Sequence, residues 1–410
     1  DTYFSTLIIS LITGSGFFYL GKNSKKNINF IEQLILVITA YLLTSVLIAI
    51  PFYLSSYQIT FLNSIFESIS GVTGTGFSIF KDIKYLDPTL ILWRSSSQWI
   101  GGLFFLFFLI IIFSNKSFNY KMTNLTFSGD NNFNSKKNIK DNILKVFIFY
   151  SVLSIIILSL LSFSGVRLFN SLNLSMTLIS GGGFLPTDNM DEIILTNFQK
   201  IILIFSLIIS MLNFYLIFNL FNKIILFKEH KEDLYLIILS FIFCVLVYFN
   251  NYDGLDIILS VVSSLANSGL TLIESDNNLS LYFLLITIIG GSLISNTSGI
   301  KLTRFYILLK ITSLEIIKLI SPNSIINKTI INSDKKISDE NVKISFLIFI
   351  SFFLSLFILS SLLVVDDIGF EKSFKLSILT LTNTVNSEMF NMQNLNFANL
   401  LTSSKISLIL

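Results

Sequence analysis

Long apolar runs alternate with four short polar-tipped segments along this chain, and that alternation constrains the fold more than any single residue. The runs cover residues 34–54, 90–113, 143–163, 201–221, 234–249, 279–294 and 344–365. Several reach the ~20 residues that a helix rising ~1.5 Å per residue needs to cross ~30 Å of hydrocarbon. The short segments are residues 69–77 (ISGVTGTGF), 176–184 (MTLISGGGF), 262–270 (VSSLANSGL) and 378–387 (ILTLTNTVNS). Each follows one apolar run, precedes another, and is too short and too polar at its end to cross. Irregular backbone at membrane depth survives only where it is buried in protein or lines a watery cavity. The expected architecture is an all-α integral membrane protein. It has four parallel membrane–pore–membrane repeats around a pseudo-fourfold pore, plus a partial N-terminal helical hairpin.

Composition agrees with that class. Of 410 residues, 52% are hydrophobic and 13% charged, against roughly a quarter charged in soluble domains. The single cysteine, Cys244, lies in an apolar run and cannot form an intrachain disulfide. Residues 2–20 are apolar but lack a basic leader and a small-residue cleavage site, so they read as a span. Asp1 is not an initiator methionine, and the last apolar stretch opens near Ser404 and stops at Leu410. An upstream helix and the remainder of a final span are expected beyond these ends.

Lysine and arginine concentrate in residues 22–26, 116–145, 223–231 and 310–343. The intervening connections carry Asp188, Asp191, Glu192, Asp253, Glu274, Asp276, Asp366 and Asp367. The positive-inside rule makes the basic loops cytoplasmic and places all four tips outside. All repeats then run in one direction, unlike the inverted repeats of many secondary transporters. The expected organisation is a partial N-terminal helix (1–29), repeat 1 (30–114), linker and repeat 2 (115–222), repeat 3 (223–311), and linker and repeat 4 (312–410). Residues 115–142 and 321–341 read as solvated linkers or as docking surfaces for a cytosolic partner. Their charges are too mixed to indicate nucleic acid.

A monovalent cation leaving water loses on the order of tens of kcal/mol of hydration, which oxygen ligands must replace. Backbone carbonyls aimed at an axis do this in channel filters, and glycine tolerates the backbone angles required. Threonine, serine and asparagine add side-chain oxygens, and a half-way helix aims its partly negative C-terminal end at the ion. Taken singly, Gly181–Gly183 also suits a helix C-cap, and Thr73–Gly76 a small-residue packing patch. Four such tips in equivalent places point to a cation pore.

Two further motifs stand out. Residues 290–304 (GGSLISNTSGIKLTR) break an apolar span with Gly, Ser, Asn and Thr. The break is either a kinked packing element or a flexible loop below the tips that obstructs the cavity. Lys301 adds positive charge to such a loop, or snorkels to the interface. In residues 92–102 (LWRSSSQWIGG), Arg94 and Gln98 lie one turn apart and either brace a pore segment or anchor the span. Glu67 and Glu388 flank tips, where carboxylates would draw cations to the mouth.

These motifs together resemble the Trk/Ktr/HKT potassium-transporter superfamily, across essentially the whole chain. ESISGVTGTGFS (67–78) is similar to its first filter, LWRSSSQWIGG to its WR…QWxGG span opening, Ser180–Phe184 to its Ser-Thr-Gly-Gly-Phe second filter, and residues 290–301 to its GGxxGSTxGGIK broken helix. The resemblance implies potassium uptake through a filter of Thr73, Gly74, Thr75, Gly76, Ser180, Gly181, Gly182, Asn267, Ser268, Gly269, Asn383, Thr384 and Val385. It implies a gate loop containing Gly290, Gly291, Ser295, Asn296, Thr297, Ser298, Gly299 and Lys301. It also implies K+ as the transported ion with no cofactor, uptake driven by the membrane potential, a bacterial inner membrane, a homodimer, and a cytosolic nucleotide-binding regulatory ring of the TrkA/KtrA kind. Filter glycines are implied at Gly76, Gly182 and Gly269. The fourth tip departs from the family, with Val385 where glycine is usual, and a β-branched residue resists positive φ. The family's arginine in the last span falls beyond Leu410.

A sodium-permeable or weakly selective member of the same family is the nearest alternative, and Val385 favours it. A proton- or sodium-coupled symporter usually needs a buried relay, and the single histidine, His230, falls in a basic loop. An enzyme is disfavoured, since no metal-ligand cluster or Ser–His–Asp set can be assembled from this sequence.

Overall fold

The computed structural model describes residues 2–24, 29–113, 139–214, 216–217, 231–248, 252–321, 337–392 and 395–409, and all their regular structure is helical. Helix α1 (Thr2–Gly21) precedes a long helix α2 (Phe30–Tyr53), a short α3 (Phe61–Thr73) and a long α4 (Pro88–Phe113). The same order recurs in α5 (Ile139–Phe163), α6 (Leu168–Ser180) and α7 (Asn197–Met211). It recurs again in α8 (Lys231–Val247), α9 (Gly254–Leu265) and α10 (Asn277–Ile289), after which an irregular stretch leads to α11 (Leu302–Ile320). Last come α12 (Asp339–Val365), α13 (Phe370–Leu381) and α14 (Thr402–Ile409).

Among the described residues, helix length sets five elements apart from the rest, of which α7, α8 and α10 have 15, 17 and 13 residues. Residues 2–21, 31–53, 88–112, 141–163 and 339–365 form helices long and apolar enough to cross a membrane. By contrast α3 and α6 have 13 residues each, and α9 and α13 have 12. At ~1.5 Å per residue these reach only about 20 Å, short of the hydrocarbon thickness. Helix α12 shows what the long ones do with their apolar surface. Its Phe346, Ile350, Leu354, Phe357 and Ile358 are exposed at three- and four-residue spacing, while Ser345, Leu356, Leu359, Ser360 and Leu363 are buried. That outward stripe suits lipid, because in water it would be a large apolar patch.

The short helices are buried despite their polarity. Each carries a serine whose hydroxyl donates to the carbonyl one turn back: Ser64 to Thr60 at 3.1 Å, Ser171 to Arg167 at 3.2 Å, Ser264 to Ser260 at 2.7 Å and Ser377 to Ser373 at 2.7 Å. The hydroxyls are thereby satisfied within the helix, and the side chains stay small enough for close packing. Close approach is plainest where α4 crosses α3, since a Cβ on Gly101 would overlap the Val72 carbonyl oxygen.

The chain forms two compact units. One holds α1–α6, the first residues of α7, and α14. There α3 packs on α2 and α4, α6 packs on α4 and α5, and the Phe77 and Phe397 rings stack at 4.7 Å. The other runs from Lys200 through α13, with α9 packed against α8 and α10, and α13 against α12 and α10.

Two expectations change, and others fall outside the described residues. The apolar run 201–221 is not one helix, because α7 ends at Met211. Residues 115–138 and 322–336 of the expected linkers, Lys25, Lys26 and His230 lie outside the described residues. Helices α5 and α12 begin at Ile139 and Asp339, inside the stretches expected to be linker.

Candidate functional site

All four short helices end in a left-handed residue: Gly74 (φ 81°), Gly181 (φ 71°), Asn267 (φ 57°) and Asn383 (φ 46°). Glycine and asparagine are the residues that enter this region at least cost. Each donates its N–H to the carbonyl three residues back, in order Gly71 (3.0 Å), Leu178 (3.2 Å), Ser264 (3.2 Å) and Thr380 (3.1 Å). In the last three tips the next N–H reaches five residues back: Gly182 to Thr177 at 2.9 Å, Ser268 to Ser263 at 3.1 Å and Thr384 to Leu379 at 2.9 Å. These paired bonds are a Schellman closure. The first tip differs, with the Gly76 N–H on the Ser70 carbonyl at 3.2 Å. The expected filter residues therefore lie at one recurring turn, where a helix C-terminus concentrates partial negative charge.

Counting from the left-handed residue aligns the tips and shifts one assignment. Gly76, Gly183, Gly269 and Val385 each stand two places beyond it, so Gly183, not Gly182, is the counterpart of Gly76. Gly76 (φ 77°) and Gly269 (φ 69°) are left-handed at that place, whereas Gly183 and Val385 are not. Val385 therefore avoids the strain that positive φ would impose, and the fourth tip takes a different course from the first and third. Val385 Cγ1 also fills the space beside Gly269, 2.6 Å from where a Cβ would be.

In the first unit, two side chains of α4 hold the chain around tips one and two. Arg94 pairs with Glu67 of α3 at 2.7 Å, both side chains being buried. Glu67 was a candidate for drawing cations to a mouth, but burial and this pairing give it a bracing role instead. One turn along α4, Gln98 Oε1 accepts the Phe184 N–H at 3.2 Å, just past the second tip. A Cβ on Gly182 would overlap the Gln98 amide, so Gly182 is shaped by this contact. Arg94 and Gln98 are thus braces rather than interfacial anchors.

In the second unit, the break in the third repeat is observed where the sequence placed it, between Ile289 and Leu302. Lys301 does not snorkel. Its buried Nζ donates to Ser295 Oγ at 3.2 Å, to Thr297 Oγ1 at 2.9 Å and to the Thr297 carbonyl. Ser298 joins this loop to both tips of the unit. Its N–H donates to Asn267 Oδ1 at 3.2 Å, and its Oγ accepts from Asn383 Nδ2 at 2.9 Å. Asn267 Nδ2 also donates to the Thr287 carbonyl at 2.9 Å. The Asn267 side-chain amide is thereby engaged with protein at both its oxygen and its nitrogen.

Sequence reading missed Asn213, Glu232 and Asp233, which fasten this loop to a second interruption. A polar Asn213 within the apolar stretch MLNFYL, and two carboxylates opening an apolar run, were the available signals.

Comparison with known proteins follows the same line. Residues 1–238 match the family described as TrkH, cation transport protein. The chain is 28% identical over 362 residues to the uncharacterized cation transporter MJ1485 of Methanocaldococcus jannaschii, covering 86% of this chain and 74% of that protein. It is 26% identical over 413 residues to the Trk system potassium uptake protein TrkG of Escherichia coli, covering 94% of this chain and 82% of that protein. The fold matches the crystal structure of the potassium transporter TrkH from Vibrio parahaemolyticus with a TM-score of 0.83 at 19% identity, over 100% of this chain and 87% of that one. With more than half of its length matched to the family and its long apolar helices in place, the chain belongs to the TrkH family of cation transport proteins, multi-span membrane transporters rather than enzymes.

Proposed function

We propose that this protein takes up potassium across a bacterial plasma membrane, with the four tips together supplying the oxygens that replace the ion's hydration shell. The observation that carries this reading is the recurrence of one left-handed turn at the end of all four buried short helices. Backbone around 74–76, 180–183, 267–269 and 383–385 contributes the ligands, and the tips face outside. The relatives named as potassium uptake proteins support potassium as the ion. The loop 290–301 is the gate, because Ser298 ties it directly to two tips. A membrane potential supplies ~2.3 kcal/mol per charge per 100 mV, roughly fiftyfold accumulation, so uptake requires no second fuel. The working assembly is a homodimer above a cytosolic nucleotide-binding ring, following the resemblance.

Potassium uptake in cells lacking their own uptake systems, with reversal potentials measured in potassium and sodium gradients, tests the proposal. Uptake with potassium preferred is expected; no uptake, or flux that follows a proton gradient at fixed voltage, would overturn it. A weakly selective transporter is the second reading, favoured by Val385 and the distinct backbone of its tip. Equal permeability to both ions would establish it.

A further inference from the structure

Two consecutive carboxylates in the first turn of α8 each hold the backbone of a different interrupted span. Glu232 Oε1 accepts the Leu293 N–H of the 290–301 loop at 3.0 Å. Asp233 Oδ1 accepts the Asn213 N–H at 2.8 Å, just past the end of α7. The two interruptions also bond each other: the Ser292 N–H reaches the Met211 carbonyl at 2.9 Å, and the Phe214 N–H reaches the Ile294 carbonyl at 2.8 Å. Gly291 makes this approach possible, since a Cβ there would lie 2.7 Å from the Met211 oxygen.

Such a junction would be costly if left half-made, because interrupted helices expose backbone groups that the membrane interior cannot satisfy. A carboxylate is a stronger acceptor than a carbonyl. The start of a helix is also where negative charge is favoured. Neither acid belongs to a tip, and α8 is predominantly apolar along the rest of its length. Their hydrogen bonds go instead to the two broken spans.

We propose that Glu232 and Asp233 form a clamp that sets the obstructing position of the 290–301 loop by fastening it, through the first turn of α8, to the end of α7. A displacement of that turn moves both interruptions together. This inference rests on the gate reading of the loop.

The test uses the whole protein with Glu232→Gln and Asp233→Asn. Each amide keeps an accepting oxygen but loses the charge. Potassium uptake is measured in cells lacking other uptake systems, beside a chain from which residues 295–298 are deleted. Either amide variant is expected to raise uptake at least about fivefold, the lower range of site-to-site coupling. That gain should vanish when the same substitution is made in the loop-deleted chain. A general loss of packing would lower uptake and would not depend on the loop. Unchanged uptake, a gain that persists without the loop, or loss of folded protein in both amide variants overturns the clamp. If the deletion raises uptake while the amide variants do not, the clamp alone fails. If the deletion itself leaves uptake unchanged, the gate reading fails and takes the clamp with it.

Discussion

Arg94 Nε lies 2.7 Å from Glu67 Oε1, with the two side chains only 1% and 0% exposed, and the pair reaches both tips of its unit. Glu67 also accepts from Ser78 Oγ at 3.0 Å and from the Ile79 N–H at 2.8 Å, on the chain leaving the first tip. The Arg94 guanidinium stands 4.1 Å from the centre of the Phe184 ring, just beyond the second tip. One buried charge pair therefore positions two irregular return segments, by a hydrogen-bonded carboxylate on one side and a cation–π contact on the other.

Removing one partner of such a pair strands the other charge at a cost of about 3–5 kcal/mol. Glu67→Gln and Arg94→Met should each lower the melting temperature of the purified protein and reduce potassium uptake. Joining both changes in one chain should recover most of the thermal loss, since no buried charge is then unpaired. Potassium preference should not recover, because the link to Ser78 and Ile79 has lost its charge. Single variants that melt like the parent would remove the pair from any role in holding the tips.

Gly182 offers a sharper geometric test. Gly182→Ala places a methyl group on the Gln98 amide, and overpacking of this kind typically costs about 1–3 kcal/mol. The substitution should cut uptake by about tenfold or more. Gln98→Ala in the same chain should restore part of it by making room, at the expense of the bond to the Phe184 N–H. The measured quantity is initial uptake rate against amount of protein in the membrane. A double variant no better than Gly182→Ala alone would show that the collision with Gln98 is not the cause.

Long-range architecture was legible because its signals are local. Apolar runs and polar tips announced the alternation of long and short helices, and the Gly/Ser/Asn/Thr stretch at 290–301 announced a broken span. Arg94 and Gln98 stood out by their spacing, one turn apart on α4, but bracing and anchoring were equally open until their partners Glu67 and the Phe184 N–H were seen. Register within the tips was not legible, since three consecutive glycines (181–183) offer no way to say which is left-handed. Nor could sequence show that Glu67 is buried, because its partner lies 27 residues further along the chain. The break after Met211 escaped for a related reason. Its hydrogen bonds are completed by Asp233, Ser292 and Ile294, and the local stretch keeps an apolar pattern with one asparagine in it.

Ser298 makes two bonds that can be dissected separately. Ser298→Ala deletes the acceptor of Asn383 Nδ2 but keeps the N–H that Asn267 receives. Asn383→Gly deletes the same bond from its other end and keeps a residue that enters the left-handed region readily. A bond of this kind is worth about 1 kcal/mol net, so each change should shift the potassium concentration for half-maximal uptake by a few-fold. The double variant should do no more than either single one, as expected for partners in contact. Fully additive shifts would mean that Ser298 and Asn383 act through different neighbours.

Under the proposed filter reading, Val385 decides how far the fourth tip constrains the ion. At the equivalent place Gly76 and Gly269 adopt φ of 77° and 69°, a conformation that valine resists and does not adopt here. Val385→Gly makes that backbone accessible and also removes the Cγ1 that packs beside Gly269. Losing the side chain leaves a small void, which should lower thermal stability modestly. The effect on function runs the other way. If the fourth tip is the least discriminating part of the pathway, Val385→Gly should raise the potassium-to-sodium permeability ratio, read from reversal potentials in mixed gradients. Gly269→Ala should abolish uptake in either background. Adding Val385→Gly relieves its collision with Cγ1 but not the cost of an alanine at φ 69°. A permeability ratio unchanged by Val385→Gly, with uptake intact, would show that selectivity is set by the other three tips.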